Sequence, residues 1–214
     1  MEIGIIGLGK FGFFLGSALI NMGHRVVGVD STQAKVQAAQ ETLTQVYQAN
    51  ATDSIALAQL GIADLSHVIV SVGQSMEASI LIALHLKELK AAQIWVKAVS
   101  EDHEKILNRI GVDHVIFPER VAAEELARKL VDPGFLDALS LGKGIVLREL
   151  EVNKWAGQDL IKLNLTNKYG IQVVAIKRNG ATEPVFIPNP RSELKKGDRL
   201  IVIGRDEDIV KVEP

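Results

Sequence analysis

Apolar positions along the first two thirds of the chain switch repeatedly between two rhythms. Glu2–Ile6 is a short β-branched run, the pattern of a strand buried on both faces. It ends at Gly7-Leu8-Gly9-Lys10-Phe11-Gly12, after which Phe13, Phe14, Leu15, Ala18, Leu19 and Met22 recur at helical spacing. Gly23 then stops that helix. Arg25–Asp30 reads as the next strand, and Ser31 or Thr32 as the cap of a helix carrying Val36, Ala39 and Leu43. Further strands are predicted over 44–48, 68–72, 94–99 and 112–117, the first of them unusually polar. Helices are predicted around 55–60, 76–90, 102–110 and 119–130. Strands alternating with helices imply a parallel sheet covered on both faces.

The texture changes after residue 130. Val131-Asp132-Pro133-Gly134 reads as a break and residues 135–139 as one short helix. Short strands follow over 145–152, 171–178, 185–188 and 200–204, with helices near 158–163 and from 206. Asn179-Gly180 is the strongest hairpin signal in the chain. The expected fold is α/β: a Rossmann-like doubly wound parallel sheet, then a small α+β lobe. The boundary falls near 132–142, giving domains of 1–134 and 135–214.

Composition narrows the function classes. With 24 basic against 26 acidic residues the chain lacks the excess of cations that nucleic-acid binding requires, so no nucleic-acid partner is expected. The absence of cysteine excludes disulfides, thiol catalysis, iron–sulfur clusters and cysteine-ligated zinc. No run approaches the roughly 18 apolar residues of a membrane span. The best, residues 80–86, is broken by His85, and Glu2 directly after Met1 is unlike a secretory signal.

Three glycines in this spacing are a weak motif, but their context strengthens them. They lie between a predicted strand and a predicted helix, and Asp30 ends the following strand about 18 residues beyond Gly12, close to the spacing of dinucleotide-binding units. Gly7 suits a tight turn, Gly9 a close approach of pyrophosphate to backbone, and Gly12 close packing of helix on strand. The helix start offers free N–H groups and partial positive charge. Asp30 suits the two ribose hydroxyls of ATP or NAD equally and would repel a 2′-phosphate. Ligands in such sheets lie beyond the carboxyl ends of the strands. That places Asn50 to Asp53, Ser71-Val72-Gly73 and Lys97 around the same crevice, with Lys10 inside the glycine loop. His24, His67, His85, His103 and His114 show no catalytic spacing, and the second lobe has no histidine. Binding without chemistry is the better reading, and no catalytic residue is assigned.

Many segments together resemble the RCK (regulator of potassium conductance) family, most closely the KtrA-like gating subunits of bacterial Ktr potassium transporters. The resemblance begins with 5–12 and 22–30 and continues through 49–53, 60–62, 68–73, 94–98 and 110–119. In the second half it is carried by 164–170 and 174–177. It implies a lobe binding ATP or ADP, with NAD(H) known among relatives, and homodimers assembled into an octameric ring. That ring would sit at the inner face of the cell membrane, in the cytoplasm, beneath a potassium-translocating subunit of the KtrB kind. Carried over by position, Gly7, Gly9 and Gly12 would cradle phosphate, with Leu8, Lys10 and Phe11 also in the nucleotide-binding loop. Asp30 would hold ribose, Ala51, Thr52 and Asp53 would flank adenine, and Ser31 and Asn50 belong to the same nucleotide-binding set. Ser71, Val72, Gly73 and Lys97 complete the expected cleft. The family commonly has Arg where this chain has Lys10; lysine keeps the charge without the planar fork. Glu119 matches a carboxylate implicated in holding Mg or another cation at the dimer interface. Some relatives bind cyclic di-AMP between second lobes, where Thr166 stands here in place of a basic residue. The same features also admit a small NAD-dependent oxidoreductase, or a scaffold subunit with a vestigial site.

Overall fold

The computed structural model describes residues 1–73, 75–131 and 144–214, with the backbone of 135–138. The chain divides into two compact units at Val121/Ala122.

In the first unit β1 (Glu2–Ile6), α1 (Lys10–Asn21), β2 (Arg25–Asp30), α2 (Gln33–Ala39) and β3 (Gln45–Gln48) come first. Then follow α3 (Ser54–Gln59), a 3-10 turn, β4 (His67–Val70), α4 (Met76–Glu88), β5 (Ile94–Lys97), α5 (Glu101–Ile110) and β6 (His114–Ile116), while α6 (Pro118–Val131) starts in this unit and runs past its boundary. The sheet has the order β3-β2-β1-β4-β5-β6 and is parallel throughout. Period-two alternation sends consecutive apolar residues to opposite faces. Ile3, Ile5, Val26 and Ile69 join one core layer, while Ile6, Val27, Val29, Val68 and Val70 join the other. Each fully buried side chain of this kind is worth about 1.5–3 kcal/mol. Side-chain oxygens of Asp53, Ser75 and Ser100 cap α3, α4 and α5. Leu43, expected on α2, lies beyond its end and packs against Gly16 and Gly28 instead, where no larger residue would leave it room.

The second unit holds an antiparallel sheet ordered β10-β9-β11-β8-β7. Its elements are β7 (Phe135–Ala138), β8 (Ile145–Glu151), α7 (Leu160–Leu163), α8 (Leu165–Tyr169), β9 (Gln172–Lys177), β10 (Val185–Phe186), β11 (Arg199–Arg205) and α9 (Asp206–Ile209). The short helix expected at 135–139 is corrected: Phe135–Ala138 is a strand, because its backbone pairs with β8 through Phe135↔Arg148 and Ala138↔Val146. Leu139 and the break at 132–134 lie outside the described residues. Asn179-Gly180 does form a turn, with the Ala181 N–H donating to Arg178 O at 2.9 Å. The strands it joins are nevertheless not a tight hairpin, since β10 pairs with β9 only from Val185↔Ile176.

Asp198, 1% exposed, braces that turn. Its carboxylate accepts from Arg178 Nη1 at 2.5 Å, Lys195 N at 2.9 Å and Asn179 N at 3.1 Å. Burial acts to raise its pKa, but the two N–H groups and the guanidinium outweigh it and hold the carboxyl below the usual range. Its stabilisation is therefore complete above the ordinary aspartate pKa and lost as pH falls through the lowered one. Asp198→Ala should cost about 2 kcal/mol at neutral pH. In urea unfolding the gap from wild type should shrink towards pH 3; a pH-independent gap would refute this account.

Candidate functional site

The sheet order reverses between β1 and β4, and a cleft of about 570 Å3 opens beyond the carboxyl ends of the strands there. That position and size suit a small-molecule site. Gly7 ends β1 at φ +97°, and a Cβ on it would lie 2.8 Å from Ser71 O, so the two strand ends approach closely only because of glycine. A Cβ on Gly12 would lie 2.0 Å from Gly7 O, which is how closely α1 sits on the strand end. A Cβ on Gly9, by contrast, would meet nothing within 4 Å. Gly9 caps α1, whose first N–H groups lack intrahelical partners. Open space in front of such donors is what an approaching phosphate requires.

Asp30 closes β2 and is 7% exposed. One carboxylate oxygen accepts from Leu8 N at 2.8 Å and the other from Thr32 N at 2.8 Å, while Lys35 Nζ lies 3.2 Å away. Burial pushes its pKa up, yet these donors prevail and hold the carboxyl below its ordinary value. It is ionised at neutral pH and offers its remaining lone pairs to the cleft. The partner Lys35 offsets part of its charge, so repulsion of a 2′-phosphate is weaker than an unpaired aspartate would give.

Across the cleft, Lys97 Nζ is 2.5 Å from Glu119 Oε1 and 5.7 Å from the centre of the Phe11 ring. The Lys97 side chain is 14% exposed, and its ammonium is what draws the Glu119 pKa down. Lys10 also lines this region.

The loop after β1 thus contributes Gly7 and Gly9 to the lining, the first turn of α1 contributes Lys10 and Phe11, and the end of β2 contributes Asp30 with Ser31 after it. Asn50, Ala51 and Thr52 line it from beyond β3, with Asn50 Oδ1 accepting from Thr52 N at 3.1 Å. Ser71, Val72 and Gly73 line it from beyond β4. Three expected residues stand outside the lining. Leu8 turns its side chain into the core and supplies only its N–H to Asp30; Gly12 packs against Gly7; Asp53 caps α3. Thr32, Lys35, Ala49, Ala78 and Ile82 join the lining without having been anticipated. Only Lys35 had a readable signal, one helical turn past the acidic strand end.

None of the five histidines lines the cleft. His103 is fully buried, its Nδ1 accepts from Val99 N at 3.3 Å, and burial lowers its pKa. His114 stacks on Trp95 with ring centres 3.7 Å apart. Among the described residues no group of three acidic or histidine side chains is arranged to hold a metal, and no helix is long and apolar enough to cross a membrane.

Comparison with known proteins agrees with this architecture. Residues 3–118 match the TrkA-N domain and residues 146–214 the TrkA-C domain. The chain is 38% identical to Ktr system potassium uptake protein C of Bacillus subtilis over 99% of its own length and 96% of that protein. It is 33% identical to Ktr system potassium uptake protein A of Vibrio alginolyticus, over 97% and 94%. Among solved structures, the GsuK RCK domain covers 98% of this chain at 24% identity and a TM-score of 0.56, the match taking in 45% of that longer chain. Two domain matches in this order, with relatives similar from end to end, place the chain in the KtrA-like RCK family of potassium-transport proteins.

Proposed function

We propose that the chain is a regulatory subunit of a potassium uptake system, binding ATP and ADP in the cleft between β1 and β4 without transforming them. Asp30 takes the ribose hydroxyls, Asn50 to Thr52 flank the adenine, and the α1 N-terminus takes the inner phosphates. The observation that carries the choice of a triphosphate over NAD(H) is Lys97, with Lys10 nearby, on the cleft wall facing Glu119. Such a cation can exchange Glu119 for a terminal phosphate, whereas a nicotinamide offers no anion for that exchange. A phosphate drawing Lys97 away would release Glu119, at the start of α6, for Mg or another cation. The remaining ligands would then come from the nucleotide and a second copy of the chain.

Differential affinity of the two nucleotides for two shapes of an octameric ring then shifts their populations and gates a membrane-embedded potassium-translocating partner. In this reading residues 1–134 form the sensor and 135–214 the regulatory and dimerisation lobe, held in the cytoplasm against the membrane by the partner. Cyclic di-AMP is a weaker ligand for the second lobe, because the hollow containing Thr166 is lined by no cationic side chain.

Calorimetry with ATP, ADP and NADH on wild type and Lys97→Gln tests the assignment. ATP affinity should fall about tenfold, some 1.4 kcal/mol, while NADH affinity changes little. Unchanged ATP affinity, or an equal loss for NADH, would defeat it.

A further inference from the structure

The second unit contains a hollow of about 350 Å3 lined chiefly by Trp155, Gln158, Lys162, Lys168, Tyr169 and Lys211. It adjoins the hollow containing Thr166, sharing Leu165 with it, but has the opposite chemistry, with three ammonium groups where that one has none among the described residues. Among the described residues Glu213 is the one carboxylate in the lining, and it is engaged by Lys154 from outside the lining. Lys211 is paired with Asp208 at 2.7 Å. Lys162 and Lys168 have no acidic partner among the described residues. Nor do the Trp155 indole N–H, the Gln158 amide and the Tyr169 hydroxyl hydrogen-bond to any of them.

Grouping like charges around one concavity is unfavourable, and local helix structure gives little in return. Lys162 and Lys168 stand in the last turns of helices only four and five residues long, where the macrodipole is small. What the hollow presents is an excess of positive donors, three ammonium groups against one carboxylate that Lys154 already engages. Its complement is a compact anion with several oxygen acceptors, and the indole and phenol rings supply an apolar flank for whatever carries it.

We propose that this hollow is a second anion site, binding the phosphate group of a small phosphorylated molecule or of an anionic lipid headgroup. Lys162 and Lys168 supply the charge, and Trp155 and Tyr169 flank the esterified part. The site is independent of nucleotide binding in the first unit.

Trp155 offers a local reporter, since the chain has two tryptophans and Trp95→Phe leaves it alone. In that background the full-length protein is titrated with inorganic pyrophosphate at constant ionic strength. A saturable change in Trp155 emission is expected, with its midpoint raised at least about tenfold in Lys162→Gln/Lys168→Gln and restored in Lys162→Arg/Lys168→Arg. Both doubles change exposed side chains, and an unaltered melting curve verifies their fold. An equal response to sodium chloride of matched ionic strength, or an unchanged midpoint in the glutamine double, overturns the proposal. Sedimentation with vesicles of phosphatidylglycerol and of phosphatidylcholine separates the sources. Capture by phosphatidylglycerol alone, lost in the glutamine double, assigns a lipid headgroup; pyrophosphate binding without vesicle capture assigns a soluble molecule.

Discussion

Gly12→Ala is expected to abolish nucleotide binding and to destabilise the first unit by about 3 kcal/mol or more. The added methyl would sit 2.0 Å from the Gly7 carbonyl oxygen and 3.2 Å from its carbon. Both atoms are backbone, so no side chain can turn aside to make room. Either α1 lifts from the sheet, carrying its free N–H groups away from the cleft, or the turn at Gly7 opens against Ser71. Gly9→Ala supplies the control, because its methyl projects into empty space. Its unfolding midpoint should stay within about 1 kcal/mol of wild type, the ordinary cost of alanine at a helix cap. Its nucleotide affinity should nonetheless fall about tenfold, since the methyl occupies the approach to the helix terminus. Urea unfolding with parallel calorimetry separates the two effects. A Gly12→Ala protein that binds ATP normally would refute the close-packing argument, and a Gly9→Ala protein that does so would refute the phosphate path.

Asp30→Ala should lower nucleotide affinity about 100-fold and stability by about 1–3 kcal/mol. The stability loss comes from two N–H groups, of Leu8 and Thr32, that would lose their acceptor, the first of them buried. The affinity loss comes from the ribose hydroxyls and from a glycine loop no longer tied to β2. Because the native pKa of this carboxyl is lowered, its contribution is full above the ordinary aspartate value and disappears as pH falls through the lowered one. The difference between wild type and Asp30→Ala should therefore narrow in acid. Lys35→Gln behaves differently. Its side chain is 38% exposed, so the pair contributes at most about 1 kcal/mol to folding. Removing it leaves Asp30 uncompensated and should widen the preference for ATP over a 2′-phosphorylated adenylate. If selectivity is unchanged in Lys35→Gln, the partial neutralisation has no bearing on recognition.

What the sequence disclosed follows the range of the forces involved. The parallel layers were legible because buried strands such as Val68 to Val70 carry their own period and their own glycine punctuation. The centre of the cleft was legible because Gly7, Gly9, Gly12 and Asp30 answer steric and charge demands that few other residues meet. Phe135–Ala138 was misread because four residues hold too little local signal. Their state is set by hydrogen bonds to β8, which begins at Ile145. The helix at Leu165–Tyr169 was missed for a related reason: Asn164, in the left-handed region at φ 48°, ends one short helix and starts the next. Asp53 illustrates ambiguity of role. The family resemblance implied a place beside an adenine, and its carboxylate accepts from the Ile55 N–H and caps α3. Ile82 and Ala78 joined the lining from the flank of α4, which no strand-end rule anticipates.

The outermost strands of the first sheet also constrain how copies of this chain can meet. β3 is four residues long and mostly solvent-facing through Gln45, Tyr47 and Gln48, and β6 has only three residues. Neither margin offers a long flat template on which another polypeptide could extend the ladder. Continuous sheets built across copies through this unit are therefore disfavoured, with little hazard of runaway fibre growth along these edges.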